Sequence, residues 1–174
     1  MPRFTWVAWG LLIAVLDLYL AAWDIVPDVV GYAWLAAGLA GAATADPAFV
    51  MARTAAFLGI PVGLVTGTPF SHWNFWLSTV CVVLEVVVLA VVIHQLCTGV
   101  LRSDPADDAD TRTWAGRLRV GAVVLGVVGL LSIAGALAGL AVMLLVNQLV
   151  VTVVGVLAVV LLQRVGRAGW LASA

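Results

Sequence analysis

Residues 120–163 read VGAVVLGVVGLLSIAGALAGLAVMLLVNQLVVTVVGVLAVVLLQ, without one acidic, basic or histidine side chain. A helix of about 20 apolar residues crosses a hydrocarbon core of about 30 Å, so this stretch holds roughly twice what one span needs. Gly135 and Gly139 mark the place for a turn and divide it into two helices, predicted over 115–136 and 140–163. Working back towards the N-terminus, the same criterion gives four more segments: 74–101, 47–66 with Gly59 and Pro61 inside it, 29–45 rich in Ala and Gly, and 4–23. The first could be taken for a secretory signal, but Asp17 lies inside it, where a signal h-region would not normally hold a charge.

Composition points the same way. Of 174 residues, 64% are hydrophobic and 10% charged, and the mean hydropathy is +1.18. A soluble domain carries about 25% charged residues, enough to cover its surface, and this chain cannot. The net charge of −1 offers no basic patch for nucleic acid. The expected fold class is therefore an all-α polytopic membrane protein, a compact bundle of six short transmembrane helices forming a single domain in the lipid bilayer. All eight basic residues are arginine, a usage associated with bacterial genomes of high GC content, so the bacterial cytoplasmic membrane is the expected location.

The arginines orient the bundle. With six spans and an inside N-terminus, Arg3, Arg53, Arg102, Arg112, Arg117, Arg119, Arg164 and Arg167 all fall by cytoplasmic connections, as the positive-inside rule requires. Both termini are then cytoplasmic, and residues 102–114 form the one strongly polar, cytoplasmic loop. Trp6, Trp9, Trp114 and Trp170 fall near predicted inner ends; Tyr19, Trp23, Tyr32, Trp34, Trp73 and Trp76 fall near predicted outer ends. Asp46-Pro47 reads as an N-cap followed by proline at the first helical position. Segments two and three could instead form a re-entrant hairpin, but that would bring Asp46 and Arg53 into the membrane, so full spans are expected. Ala33, Ala37 and Gly41 form a small-residue stripe suited to close helix packing.

An ionisable or amide side chain inside a membrane is a functional candidate. Asp17, Glu85, Asn147 and Gln148 are those candidates, with Glu85 placed close to the midplane and Asp24, Asp28 and His72 lining an outer approach. Ser78, Cys81 and Glu85 share one helix face, and Asp17 and Asp24 another. If the two faces meet, paired carboxylates in a low dielectric would hold a proton or a cation. Plainer roles compete: Asn147 and Gln148 as hydrogen-bonding glue between helices, Asp24 and Asp28 as caps, His94 and His72 as interfacial residues, Cys81 and Cys97 as packing. The cysteines, 16 residues apart on one helix, stand about 24 Å apart and cannot pair. No phosphate loop, metalloprotease, haem-attachment or nucleophile-elbow motif occurs, and no metal or cofactor is expected.

The run Asp24-x-x-Pro27-Asp28-x-x-Gly31-Tyr32 resembles a D-x-x-P-D-x-x-G-Y pattern in small multi-pass membrane proteins of Gram-positive bacteria. The segment His94-Gln-Leu-Cys97-Thr-Gly99 is similar as well, and the likeness covers roughly the first hundred residues. It implies a shared helical hairpin, with Gly31 allowing close approach and the acids at the outer surface, and carries no reaction. The leading expectation is transport of protons, cations or a small solute through a polar site open to the outside. The alternatives are an accessory subunit of a membrane complex, with a homo-oligomer or larger assembly as partner, and an intramembrane enzyme using Asp17 and Glu85 on a lipid or isoprenoid.

Overall fold

The computed structural model describes residues 4–16, 19, 20, 23, 24, 28–66, 75–103, 108–140 and 142–167; residues 19, 20, 23, 24 and 78 are described by their backbone alone. Six α-helices follow one another: α1 Phe4–Val15, α2 Asp28–Gly38, α3 Pro47–Thr66, α4 Phe75–Arg102, α5 Ala109–Leu137 and α6 Val142–Arg167. A 3₁₀ turn, Ala42–Thr44, joins α2 to α3. Between α1 and α2 two short strands, β1 Tyr19–Leu20 and β2 Trp23–Asp24, pair antiparallel. Four helices, α3 to α6, are long and apolar enough to cross a membrane; α1 is apolar but shorter.

Two expected spans thus end early as helices. The segment predicted over 4–23 leaves the helix after Val15, and that predicted over 29–45 after Gly38. At 1.5 Å per residue, α1 and α2 are each about 17 Å long, well short of a 30 Å core. The β1–β2 ladder gives backbone groups beyond α1 an alternative to helical bonding, using Tyr, Leu and Trp, which favour extended chain. At the other break Arg53 Nε donates to the Ala36 carbonyl at 3.2 Å, satisfying one of the last oxygens of α2. The 102–114 linker is correspondingly shorter than expected, because Asp108 caps α5: its carboxylate accepts from Thr111 N at 3.3 Å and from Thr111 Oγ1 at 2.6 Å. The helix therefore runs a turn and a half beyond its apolar part.

The predicted turn near Gly135–Gly139 is present. Gly139 has φ of 89°, a left-handed position that glycine alone enters freely, and Leu140 N donates to Gly135 O across the end of α5. Asp46 likewise caps α3, with Ala48 N donating to its Oδ1 at 2.7 Å and Pro47 in the first helical position.

The helices form a closed ring in chain order: α1 on α2, α2 on α3, α3 on α4, α4 on α5, α5 on α6, and α6 back on α1. Directions alternate. Phe4 packs near Gly166 and Val15 on Gly155; Tyr32 lies on Gly59 and Asp28 beside Gly63; Ala90 faces Gly126 and Val86 faces Gly129; Met143 faces Gly135. One apolar core runs through all six, including Leu11, Leu35, Phe49, Ile93, Leu125 and Leu162. One end of the ring gathers Phe4 against Phe49 at 5.8 Å, Asp46 near Arg102, and Asp108 with Arg164.

Two expectations about α2 are corrected. Ala33, Ala37 and Gly41 point outwards, while Gly31, Tyr32, Leu35 and Ala36 are buried. The close contact is made by Gly31 instead: a Cβ there would lie 2.7 Å from Ala14 N and 2.8 Å from Gly10 O, so α1 and α2 touch backbone to backbone. The aromatic assignment changes with it. Tyr32 is fully buried rather than interfacial, and Trp34 lies against Trp6 at 6.3 Å, level with a residue assigned to the opposite end. Both follow from α2 being one short helix crossing α1 closely, so that its middle stands where its end was expected.

Candidate functional site

Helix register brings the candidates to a common level. The Phe49 ring lies on Gly99, with a Cβ on that glycine 2.6 Å from it. Gly63 is fourteen residues on from Phe49 and Glu85 fourteen back from Gly99, so antiparallel α3 and α4 place them opposite each other. Gly63 in turn faces Asp28, whose Cβ stands 3.1 Å from where a Cβ on the glycine would be. On the other side of Glu85, Val86 contacts Gly129, and Asn147 Oδ1 would be 3.1 Å from a Cβ there. Asp28 on α2, Glu85 on α4 and Asn147 on α6 thus occupy one layer of the ring.

The layer sits towards the end of the ring that carries the α5–α6 turn, away from the arginine-rich end. α3 ends three residues beyond Gly63 and α5 eight beyond Gly129, so the layer is about 5–12 Å below those helix ends. α2 begins in this layer, with Asp28 as its first residue and only 5% exposed.

Next to this layer, one turn along α2 from Asp28, is a residue not among the sequence candidates. Tyr32 is 0% exposed, and its ring is pressed on the bare backbone of Gly59, 2.6 Å from where a Cβ would stand. Among the described residues its hydroxyl is buried without a hydrogen-bond partner, and so is Asn147 Oδ1. Buried hydroxyls and amides are nearly always paired, since an unpaired one costs about 1–3 kcal/mol. The signal that could have found Tyr32 is its place four residues after Asp28, one turn along the same helix face.

Other candidates fall elsewhere. Gln148, next to Asn147, is exposed on the outside of α6. Asp17 and His72 lie outside the described residues, as does the side chain of Asp24, so the proposed pairing of Asp17 with Glu85 lies outside them too. Cys81 and Cys97 are both buried on α4 and unpaired with each other. His94 is half-buried, its Nδ1 3.3 Å from the Arg119 carbonyl oxygen. Among the described residues no group of three or more His, Cys, Asp or Glu could hold a metal.

At the opposite end polar side chains are mostly matched. Arg164 Nη2 reaches Asp108 Oδ2 at 3.1 Å and Asp110 Oδ2 at 3.7 Å, and Arg102 approaches Asp46 at 4.0 Å. Thr111, and then Arg164, hold the Asp108 carboxyl below its ordinary range. Arg53 stacks on Phe57 at 5.3 Å while bonding Ala36. Ser103 Oγ is the exception, buried without a partner. Comparison with protein-family models, curated proteins and solved structures finds no match for this chain.

Proposed function

We propose that this chain is a small integral membrane protein that passes protons, cations or a small polar solute through the layer formed by Asp28, Glu85 and Asn147, with Tyr32 next to it. The arginine-bearing end of the ring faces the cytoplasm, with both termini on that side, so the layer opens outwards. The observation that carries the reading is the Tyr32 hydroxyl, fully buried and without a hydrogen-bond partner among the described residues, next to the level of Asp28 and Glu85. A phenol both donates and accepts, and a carboxylate accepts, so the group suits a guest that is cationic or carries protons. Asp17, Asp24 and His72 would extend the same path outwards. The bacterial cytoplasmic membrane is the setting in which this orientation applies.

The test is flux into proteoliposomes holding a pH-sensitive or cation-sensitive dye. Vesicles with the unaltered chain are expected to equilibrate faster than empty ones, and Glu85→Gln and Tyr32→Phe to abolish the difference while remaining folded. Flux indistinguishable from empty vesicles, or unaffected by either substitution, would remove the transport reading.

A further inference from the structure

We infer that two copies of this chain associate through the outer half of α6, with Gln148 of each copy hydrogen-bonded to the other across a twofold axis. Gln148 is exposed, and among the described residues its amide has no partner. It is not at the edge of the apolar zone. Gly139, at the α5–α6 turn, is nine residues before it, about 13 Å along the helix. Leu137, Leu140, Val142, Leu144 and Leu145, all between 48% and 72% exposed, cover that distance. Below it Leu149 is 65% exposed and Val153 48%. An amide ringed by apolar side chains at this depth would face hydrocarbon, where its donors and acceptor go unmet.

Among the described residues α1 does not cover this surface. Val15, the last residue of α1, packs on Gly155, so residues 142–154 of α6 extend past the end of their neighbour. Thr152, one turn from Gln148, lies on the same side. The surface suits a second copy rather than an arbitrary partner because an amide is self-complementary. Its carbonyl accepts and its NH₂ donates, so two related by a twofold axis satisfy each other with one surface. Leu145 and Leu149, the two most exposed of the α6 leucines, would then pack around the paired amides. Amide-bearing side chains associate membrane helices in this way. The inference does not depend on transport.

The experiment is disulfide cross-linking in native membranes. Cys81 and Cys97 are replaced by Ala, Leu145→Cys is introduced on α6, and Leu131→Cys on the exposed face of α5 is the control. A dimer band is expected for the α6 cysteine and not for the α5 one. Adding Gln148→Leu, which disturbs no internal contact, is expected to reduce the band and weaken dimerisation in detergent about fivefold, the scale of one interhelical hydrogen bond. No dimer at position 145, equal bands at both positions, or a band indifferent to Gln148→Leu would overturn the inference. So would cross-linking of the α6 cysteine to a different membrane protein in place of a second copy.

Discussion

The two ends of this ring treat polar groups in opposite ways. At the arginine-rich end each described carboxylate meets a cation or a helix N-terminus: Asp46 caps α3 and faces Arg102, and Asp108 caps α5 and binds Arg164. These groups are partly exposed, and exposed ion pairs contribute little individually. In the layer of Asp28, Glu85 and Asn147 the polar side chains are drawn inside, and two of the atoms there, Tyr32 Oη and Asn147 Oδ1, have no partner among the described residues. The first pattern is what helix ends need in order to form. The second opposes stability, because a buried polar atom without a partner keeps its desolvation cost.

The contrast can be broken by substitution. The largest effect is expected at glycines. Gly59→Ala would place a Cβ 2.6 Å from the Tyr32 ring, forcing the ring or α3 to move, and should lower stability by about 3 kcal/mol. Gly116→Ala near the other end meets nothing within 4 Å and should raise stability by about 0.5–1 kcal/mol through helix propensity. Thermal unfolding in mild detergent reads both. Equal responses would mean that this layer is no more tightly built than the arginine-rich end.

Hydroxyl deletions sharpen the comparison further. Tyr32→Phe removes an unpaired buried group and is expected to stabilise the protein by about 1 kcal/mol while abolishing flux. Thr111→Val removes a hydroxyl that donates to Asp108 at 2.6 Å, and should destabilise while leaving flux intact. Loss of stability in the Tyr32 variant would show that its hydroxyl is paired after all.

The smallest effect concerns pH. The Asp108 carboxyl is held below its ordinary value, first by Thr111 and then by Arg164. Such a group stabilises the fold above its unfolded pKa, near 4, and the contribution disappears as pH falls through the lower folded value. The stability difference between the unaltered chain and Asp108→Asn should therefore be flat from pH 8 to about pH 5 and should close below about pH 4. A difference that grew on acidification would assign the wrong sign to this pair.

How much of this was legible in the sequence differs between segments for a physical reason. α3, α4 and α6 begin within two residues of their predicted starts, because apolar length and local caps set them: Asp46-Pro47 before α3, the α5–α6 turn before α6. α5 begins six residues early, because the Asp108 cap adds polar helix that hydropathy cannot register. α1 ends earlier than expected because apolar composition does not distinguish helix from the extended ladder that follows Val15, and α2 because it does not register the Ala42–Thr44 turn. Asp28, Glu85 and Asn147 could be named from their chemistry alone, as polar groups within apolar runs. Tyr32 could not, because a tyrosine at a helix end resembles an interfacial anchor until packing buries it.

The sequence by itself determined that the chain is a set of apolar helices suited to a membrane, where the long ones turn, and which side chains are chemically out of place in hydrocarbon. Those are local properties, set by the solvent a segment prefers and by the capping of its ends. Only the tertiary structure decided that six helices close into a ring in chain order, that Gly31 rather than the Ala33–Ala37–Gly41 stripe makes the close contact, and that Asp28, Glu85 and Asn147 share one level, with Tyr32 next to it, while Gln148 faces away. Register and facing depend on which backbones can approach, and that is fixed by pairs of residues far apart in the chain.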